Sequence, residues 1–312
     1  MKKNKLKFLI IILVTFILCG CTQALKDKDN KIIVNEKTGQ SITENVMCRP
    51  TDKEVLAKYE ENEVDLSKLP ECEDMEVWGE YEGIWTNIFV RPLAYVIVKI
   101  GNFVKSYGLS LIIMTILIRV ALYPITRKTA SQSEKMKDAQ PELARLEEKY
   151  KDKTSQEEQM QKSQEMMAVY KKYNINPVSG CLFAFLQLPI FFAFLEAINR
   201  VPAIFEENFL GIFQMGTTPW VGITGGNYVY IVLNVLIAAA TFFSFNNTTK
   251  DTAAMGNQKQ TKMMTIFMTV FIIFMSFKLP AAVAIYWIIS SCFTILQNIL
   301  VKRGKKKDDR KA

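Results

Sequence analysis

Gly108–Thr126 reads GLSLIIMTILIRVALYPIT, 19 residues that are almost wholly apolar. At 1.5 Å per residue such a stretch is about 30 Å long, one bilayer core. Near its middle stands Arg119. A charged side chain there costs at least about 3 kcal/mol, so it marks a functional position unless it reaches a headgroup. It is the twelfth of the 19 residues, and helical side chains lean toward the helix N-terminus, away from the nearer boundary. Thr115, Arg119 and Thr126 share one helical face with Gly108. That polar stripe requires water or polar protein beside it.

Outward from this stretch the chain is uneven. It has 312 residues, 49% hydrophobic, with a formal net charge of +8. The layout predicts an all-α polytopic membrane protein with one short polar domain. There is no histidine, which excludes histidine triads and imidazole acid–base chemistry. No P-loop motif and no C-x-x-C pair occur, so nucleotide hydrolysis, zinc ribbons and thioredoxin-like redox centres have no support. The expectation is a non-enzyme that uses no cofactor and no metal.

Met1–Gly20 has a basic start and an apolar run, the pattern of a secretory signal. It ends in Leu18-Cys19-Gly20-Cys21, which resembles a lipobox and makes Cys21 the expected lipidated N-terminus. Residues 21–83 are then extracytoplasmic. Thr22–Gly83 carries 16 Asp/Glu against 8 Lys/Arg with few apolar clusters, and reads as a loosely ordered acidic tether. Its only cysteines, Cys48 and Cys72, are either bridged or free; the compartment permits a disulfide.

Residues 84–105 are long enough to span. However, Arg91, Asn102 and Lys105 cluster on one face, with Ile88, Phe89, Val96, Ile100 and Phe103 on the other. That pattern predicts an interfacial helix. Residues 106–301 form the expected five-helix core. Within it, residues 127–176 hold 11 Lys/Arg and 9 Asp/Glu. They predict a cytoplasmic helical hairpin: one helix opening at Pro141, the other at a capping box on Thr154 or Ser155. Leu143, Leu146 and Tyr150 form one seam, and Met160, Met167 and Tyr170 the other. Further spans are expected at Pro177–Asn199, Asn227–Asn246, Lys262–Phe277 and Ala281–Val301.

Charge then orients the chain. Val201–Gly226 has no Lys or Arg, whereas the tail at 302–312 has seven among eleven residues. The hairpin and tail are predicted inside and the acidic segment outside. Polar residues recur on the later spans: Gln187 on the second, Asn234 and Thr241 on the third, Thr265, Thr269 and Ser276 on the fourth. The last has Trp287, Ser290, Ser291, Thr294 and Asn298. Singly, such residues are interhelical hydrogen bonds. With Arg119 they predict a shared hydrophilic groove.

The runs GLSLIIMTILIRVALYP, AQPEL, LQLPIFFAF and AIYWIISSCFTILQN together resemble the YidC/Oxa/Alb membrane protein insertases, in order and spacing, from about Ile84 to the end. The lipobox and five spans resemble the lipoprotein form of single-membrane (Gram-positive) bacteria. The resemblance implies an insertase and chaperone of the plasma membrane, with Arg119 inside a groove open to lipid and cytoplasm. It implies substrate contact at Thr115, Tyr286 and Trp287; at the last, some members carry Tyr. Implied partners are nascent membrane proteins, the Sec translocon, the lipid bilayer and, through the basic tail, the ribosome. The competing class is a small-solute or anion transporter with Arg119 as its site. Inverted repeats would mark one, and five dissimilar spans do not supply them. A scaffold that only assembles other membrane proteins is a third reading.

Overall fold

The computed structural model describes residues 22–176, 179–252 and 258–309; the expected signal peptide and Cys21 lie outside them. Among the described residues there are ten α-helices. They are α1 (Lys53–Glu61), α2 (Arg91–Val104), α3 (Tyr107–Lys149), α4 (Gln156–Lys172), α5 (Ser179–Asn199), α6 (Pro202–Glu206), α7 (Pro219–Thr224), α8 (Val229–Thr252), α9 (Gln258–Ser276) and α10 (Ala281–Asp309). One two-stranded antiparallel hairpin, β1 (Asn208–Phe209) with β2 (Phe213–Gln214), corrects the all-α expectation. Its tip needs left-handed backbone at Leu210 and Gly211.

The chain divides into two compact units. One holds the residues up to Thr115 with Gln187–Val235 and Met275–Trp287; the other holds Ile116–Leu186, Leu236–Phe274 and the residues from Ile288. The division falls inside five helices: α3, α5, α8, α9 and α10.

In the first unit, residues 22–83 are not a loose tether. Leu25, Ile42, Val46, Tyr59 and Leu66 form a buried cluster. They are too sparse to show a local period, yet turns bring them together: Asp27 Oδ1 accepts from the amides of Asp29 and Lys31, and Asp52 caps α1. Cys48 and Cys72 are disulfide-bonded, S–S 2.09 Å. The segment also leans on the connection after α5. The Met47 amide donates to the Arg200 carbonyl at 2.8 Å, and the Thr218 amide to the Thr38 carbonyl at 2.7 Å. Two acids in that connection act as caps. Glu206 accepts from the Thr51 and Asp52 amides ahead of α1, while Glu207 accepts from Gly108 N (2.9 Å) and Ser106 Oγ (2.6 Å) at the start of α3. Gly108 is needed there, because a Cβ would lie 2.2 Å from the Phe209 ring.

Helix α2 has three faces rather than two. Leu93, Ala94, Ile97, Val98 and Gly101 are buried against the unit, Phe103 is exposed, and Lys99 and Asn102 donate to the Glu73 carbonyl. By length and composition alone, three helical stretches among the described residues can cross a membrane: Thr86–Val104, Tyr107–Lys149 and Ala281–Gly304. Gln187–Asn199, Val229–Ser244 and Ile266–Ser276 are shorter apolar helices. These stretches are parts of longer helices, α5 of 21, α8 of 24 and α9 of 19 residues.

In the second unit, α3 runs unbroken through Pro124 and Pro141. No helix begins at Pro141. Each proline removes one amide from the helical ladder, but the flanking turns hold the helix. The lower part of α3 packs antiparallel to α4 through Met136, Ala139, Leu143, Leu146 and Tyr150 against Val169, Tyr170 and Ile175. Ser155 and Glu158 form the capping box of α4. The seam on α4 differs from expectation: Met160 and Met167 are exposed, and Met166, Val169, Tyr170 and Tyr173 face α3. Both patterns share Tyr170. The partner helix selects the wider i, i+3, i+4, i+7 stripe. Lys149–Glu165 (2.7 Å) and Lys172–Glu142 (2.8 Å) pair across the exterior and contribute little in water.

Candidate functional site: a polar seam on the apolar helices

The site begins with Arg119, which is only 8% exposed although the helix around it is apolar. Its Nη2 donates to the Ser290 hydroxyl of α10. Two turns further along, Thr126 Oγ1 donates to Gln297 Oε1 at 3.0 Å. Both contacts lie in the second unit. Thr294 turns its hydroxyl back to the Ser290 carbonyl at 3.0 Å, leaving the Ser290 side chain to the guanidinium. The result is a seam of two rungs between α3 and α10, each matching a polar α3 side chain to a polar one on α10.

The other expected residues lie in the first unit. Thr115 is buried and donates to the Leu111 carbonyl of its own helix at 2.6 Å. Asn234 on α8 is 5% exposed, and neither its amide oxygen nor its nitrogen has a hydrogen-bond partner among the described residues. Leaving such a group buried and unpaired costs about 1–3 kcal/mol, so the position is costly as structure alone. Tyr286 is buried with its ring stacked on Phe194, centroids 4.3 Å apart. Trp287 is half-buried and meets Phe191 edge-on at 5.4 Å. Gln187 is half-buried near the Pro189 turn of α5. No hydrogen bond joins Thr115, Gln187 or Asn234 to another of these residues among those described.

Two groups had escaped the sequence reading. Gln297, rather than Asn298, is the buried polar residue near the end of α10. A second charged cluster lies in the first unit. Arg200, 1% exposed, donates to Glu82, to Glu196 Oε1 (3.4 Å) and to the Asn45 carbonyl (2.6 Å). Glu196 also accepts from Trp85 Nε1 at 2.9 Å, and Glu82 from Arg91 at 2.8 Å. The i, i+4 spacing of Glu196 and Arg200 at the end of an apolar helix was the available signal. Among the described residues no acidic or cysteine cluster is placed to hold a metal ion.

With this geometry in hand, comparison with known proteins is direct. The family model described as 60Kd inner membrane protein matches residues 99–309. Membrane protein insertase YidC 2 of Bacillus anthracis is 37% identical over 221 residues, covering 70% of this chain and 82% of the relative. Membrane protein insertase YidC of Oceanobacillus iheyensis is 33% identical over 224 residues, covering 71% and 85%. YidC 1 of Listeria monocytogenes is 33% identical over 241 residues, covering 76% and 78%. The chain belongs to the YidC membrane protein insertase family. It is an integral protein of the cell membrane, and this is an insertase family rather than one of classical enzymes. The YidC match contains the seam of α3 and α10 whole. It begins inside α2, so α1, the disulfide and the Glu82 end of the Arg200 cluster precede it.

Proposed function

We propose that this protein inserts nascent membrane proteins and helps them fold, through a hydrophilic groove that contains Arg119 and is built by five spans. The observation that carries the reading is the buried Arg119 guanidinium bonded to Ser290 within apolar helices. A charge in that position requires a polar path, and a polar path within the bilayer shortens the hydrocarbon barrier that a polar chain segment must cross. Arg119 attracts acidic residues in the extracytoplasmic part of an incoming chain, and the low dielectric strengthens that pairing. The apolar segment then partitions into lipid, which drives insertion without ATP. The unpaired Asn234 amide and the half-buried Trp287 of the first unit are further proposed substrate contacts. Thr115, Gln187 and Tyr286 complete the proposed set.

The spans are α3, α5, α8, α9 and α10, with the acidic segment outside and the region around α4 inside. Helix α2 lies in the interface. Its polar edge from Arg91 to Asn102 is bonded to residues 73–82, and such a polar segment favours headgroups over hydrocarbon. Cys21 is the proposed lipid anchor. The Sec translocon and, through the basic tail, ribosomal RNA are proposed partners; clustered cations suit both RNA and anionic lipid. The test is reconstitution of the purified protein in liposomes without nucleotide, scoring insertion of a small single-span substrate. Insertion above that of empty liposomes is expected, and its absence would remove the reading.

A further inference from the structure

A cleft of about 760 Å3 opens in the second unit beside α3, between Pro124, Ile125, Arg127, Lys128 and Gln132 on one side and Asn176 on the other. That volume suits a small-molecule ligand. The cleft is centred away from the Arg119 seam. Pro124 and Lys128 follow Arg119 by five and nine positions, which places them about 140° and 180° round the helix from it. Leu117, Val120, Pro124 and Lys128, spaced three, four and four apart, fall on one stripe. Leu117 and Val120 are 51% and 57% exposed, so an open apolar strip leads directly into the basic end of the cleft.

Of the cations further along α3, Lys137 and Lys149 pair with glutamates and Lys135 donates to the Asn174 carbonyl, whereas Arg145 has no ion pair among the described residues. Arg127 and Lys128 are exposed and have neither an ion pair nor a hydrogen bond among the described residues. They stand where the apolar run ends, which is the level of the headgroups. Gln132 fixes the far wall by accepting from the Asn176 amide at 3.1 Å. We propose that this cleft is a binding site for one anionic phospholipid. Arg127 and Lys128 hold its phosphate, and its acyl chains lie along Val120 and Leu117. Phosphate chemistry alone would also suit a free anion, but the apolar strip has a function only for a ligand that carries chains. The site is independent of the insertion groove.

The test titrates the full-length protein in neutral detergent with phosphatidylglycerol, with phosphatidylcholine of the same chains, and with inorganic phosphate, and counts bound lipid by native mass spectrometry. Phosphatidylglycerol is expected to bind more tightly than phosphatidylcholine. Each cation near a surface is worth about a fivefold change, so Arg127→Gln/Lys128→Gln should weaken phosphatidylglycerol by about 25-fold and phosphatidylcholine, whose phosphate is offset by its choline, much less. Lys151→Gln/Lys171→Gln, an equal loss of charge elsewhere in the unit, should change neither. Unaltered phosphatidylglycerol affinity in the first variant, or an equal loss in the second, would overturn the proposal. Displacement of the lipid by an equal concentration of inorganic phosphate would also overturn it and assign the cleft to a free anion.

Discussion

Arg119 on α3 and Ser290 on α10 stand 171 residues apart, and so do Thr126 and Gln297, seven positions further along both helices. A constant separation means the two helices run in the same direction where they touch; antiparallel helices would pair 126 with a residue before 290. Two neighbouring spans can be parallel only if an odd number of crossings separates them. In the proposed topology α5, α8 and α9 are those crossings. The parallel register is compatible with that proposal and would not be with an even number of crossings between α3 and α10.

That count is testable by sided labelling. In a background without other reactive thiols, cysteines at Ser155 and Gly304 should react with an impermeant maleimide only from the cytoplasmic face. Cysteines at Ser67 and Gly226 should react only from the other face. Labelling of Ser155 and Gly304 from opposite faces would rule out parallel α3 and α10.

Arg200 is expected to be a stability residue. Replacing it by Met leaves Glu196 buried with Trp85 as its remaining partner, a loss of about 3–5 kcal/mol. Chemical unfolding of the purified protein reads this. A double replacement, Arg200→Met with Glu196→Leu, should recover at least half of the loss, because it removes both buried charges.

The disulfide closes a sequence separation of 24 residues. Cys48→Ser/Cys72→Ser should lower the stability of residues 22–83 by about 3 kcal/mol, read by protease resistance. Insertion by the reconstituted protein should persist, since the family match begins at residue 99. A parallel loss of insertion would give the N-terminal segment a direct part in it.

Tyr59 makes the same segment sensitive to alkali. Burial, with the charges of Glu206 and Glu44 behind it, pushes the phenol well above its ordinary value, and its hydroxyl donates to the Thr43 carbonyl. A raised folded value favours the protonated phenol. Stability is thus full below about pH 10, where the unfolded tyrosine titrates, and falls as pH rises beyond it. Tyr59→Phe should lose about 1 kcal/mol at neutral pH and show a shallower alkaline decline.

What was legible in the sequence follows physical locality. Arg119 is conspicuous because nothing else in its run is charged, and Ser155 with Glu158 announces its cap within four residues. Gln297 was passed over for Asn298 because a one-residue choice turns a helical face by about 100°, and only the parallel partner selects the i+7 row. The core around Tyr59 was invisible for another reason. Its residues are gathered by turns, a disulfide and partners far away in sequence (Arg200, Glu206 and Thr218), and not by a local period. Pro141 was read as a boundary, yet it lies inside a 43-residue helix held by the packing of Ala139, Leu143 and Leu146.

The most direct test of the central claim is insertion by the Arg119→Ala protein in liposomes, using a single-span substrate with an acidic extracytoplasmic segment. Folding is checked first by thermal unfolding, and Arg119→Lys serves as the charge-preserving control. A charge-assisted contact is worth about 1.5–3 kcal/mol, so the alanine protein should insert at least about tenfold more slowly. The lysine protein should keep most activity, and a substrate with its acids neutralised should be far less affected by the alanine change. A folded Arg119→Ala protein that inserts the acidic substrate at the full rate would contradict the account and reduce Arg119 to a structural residue.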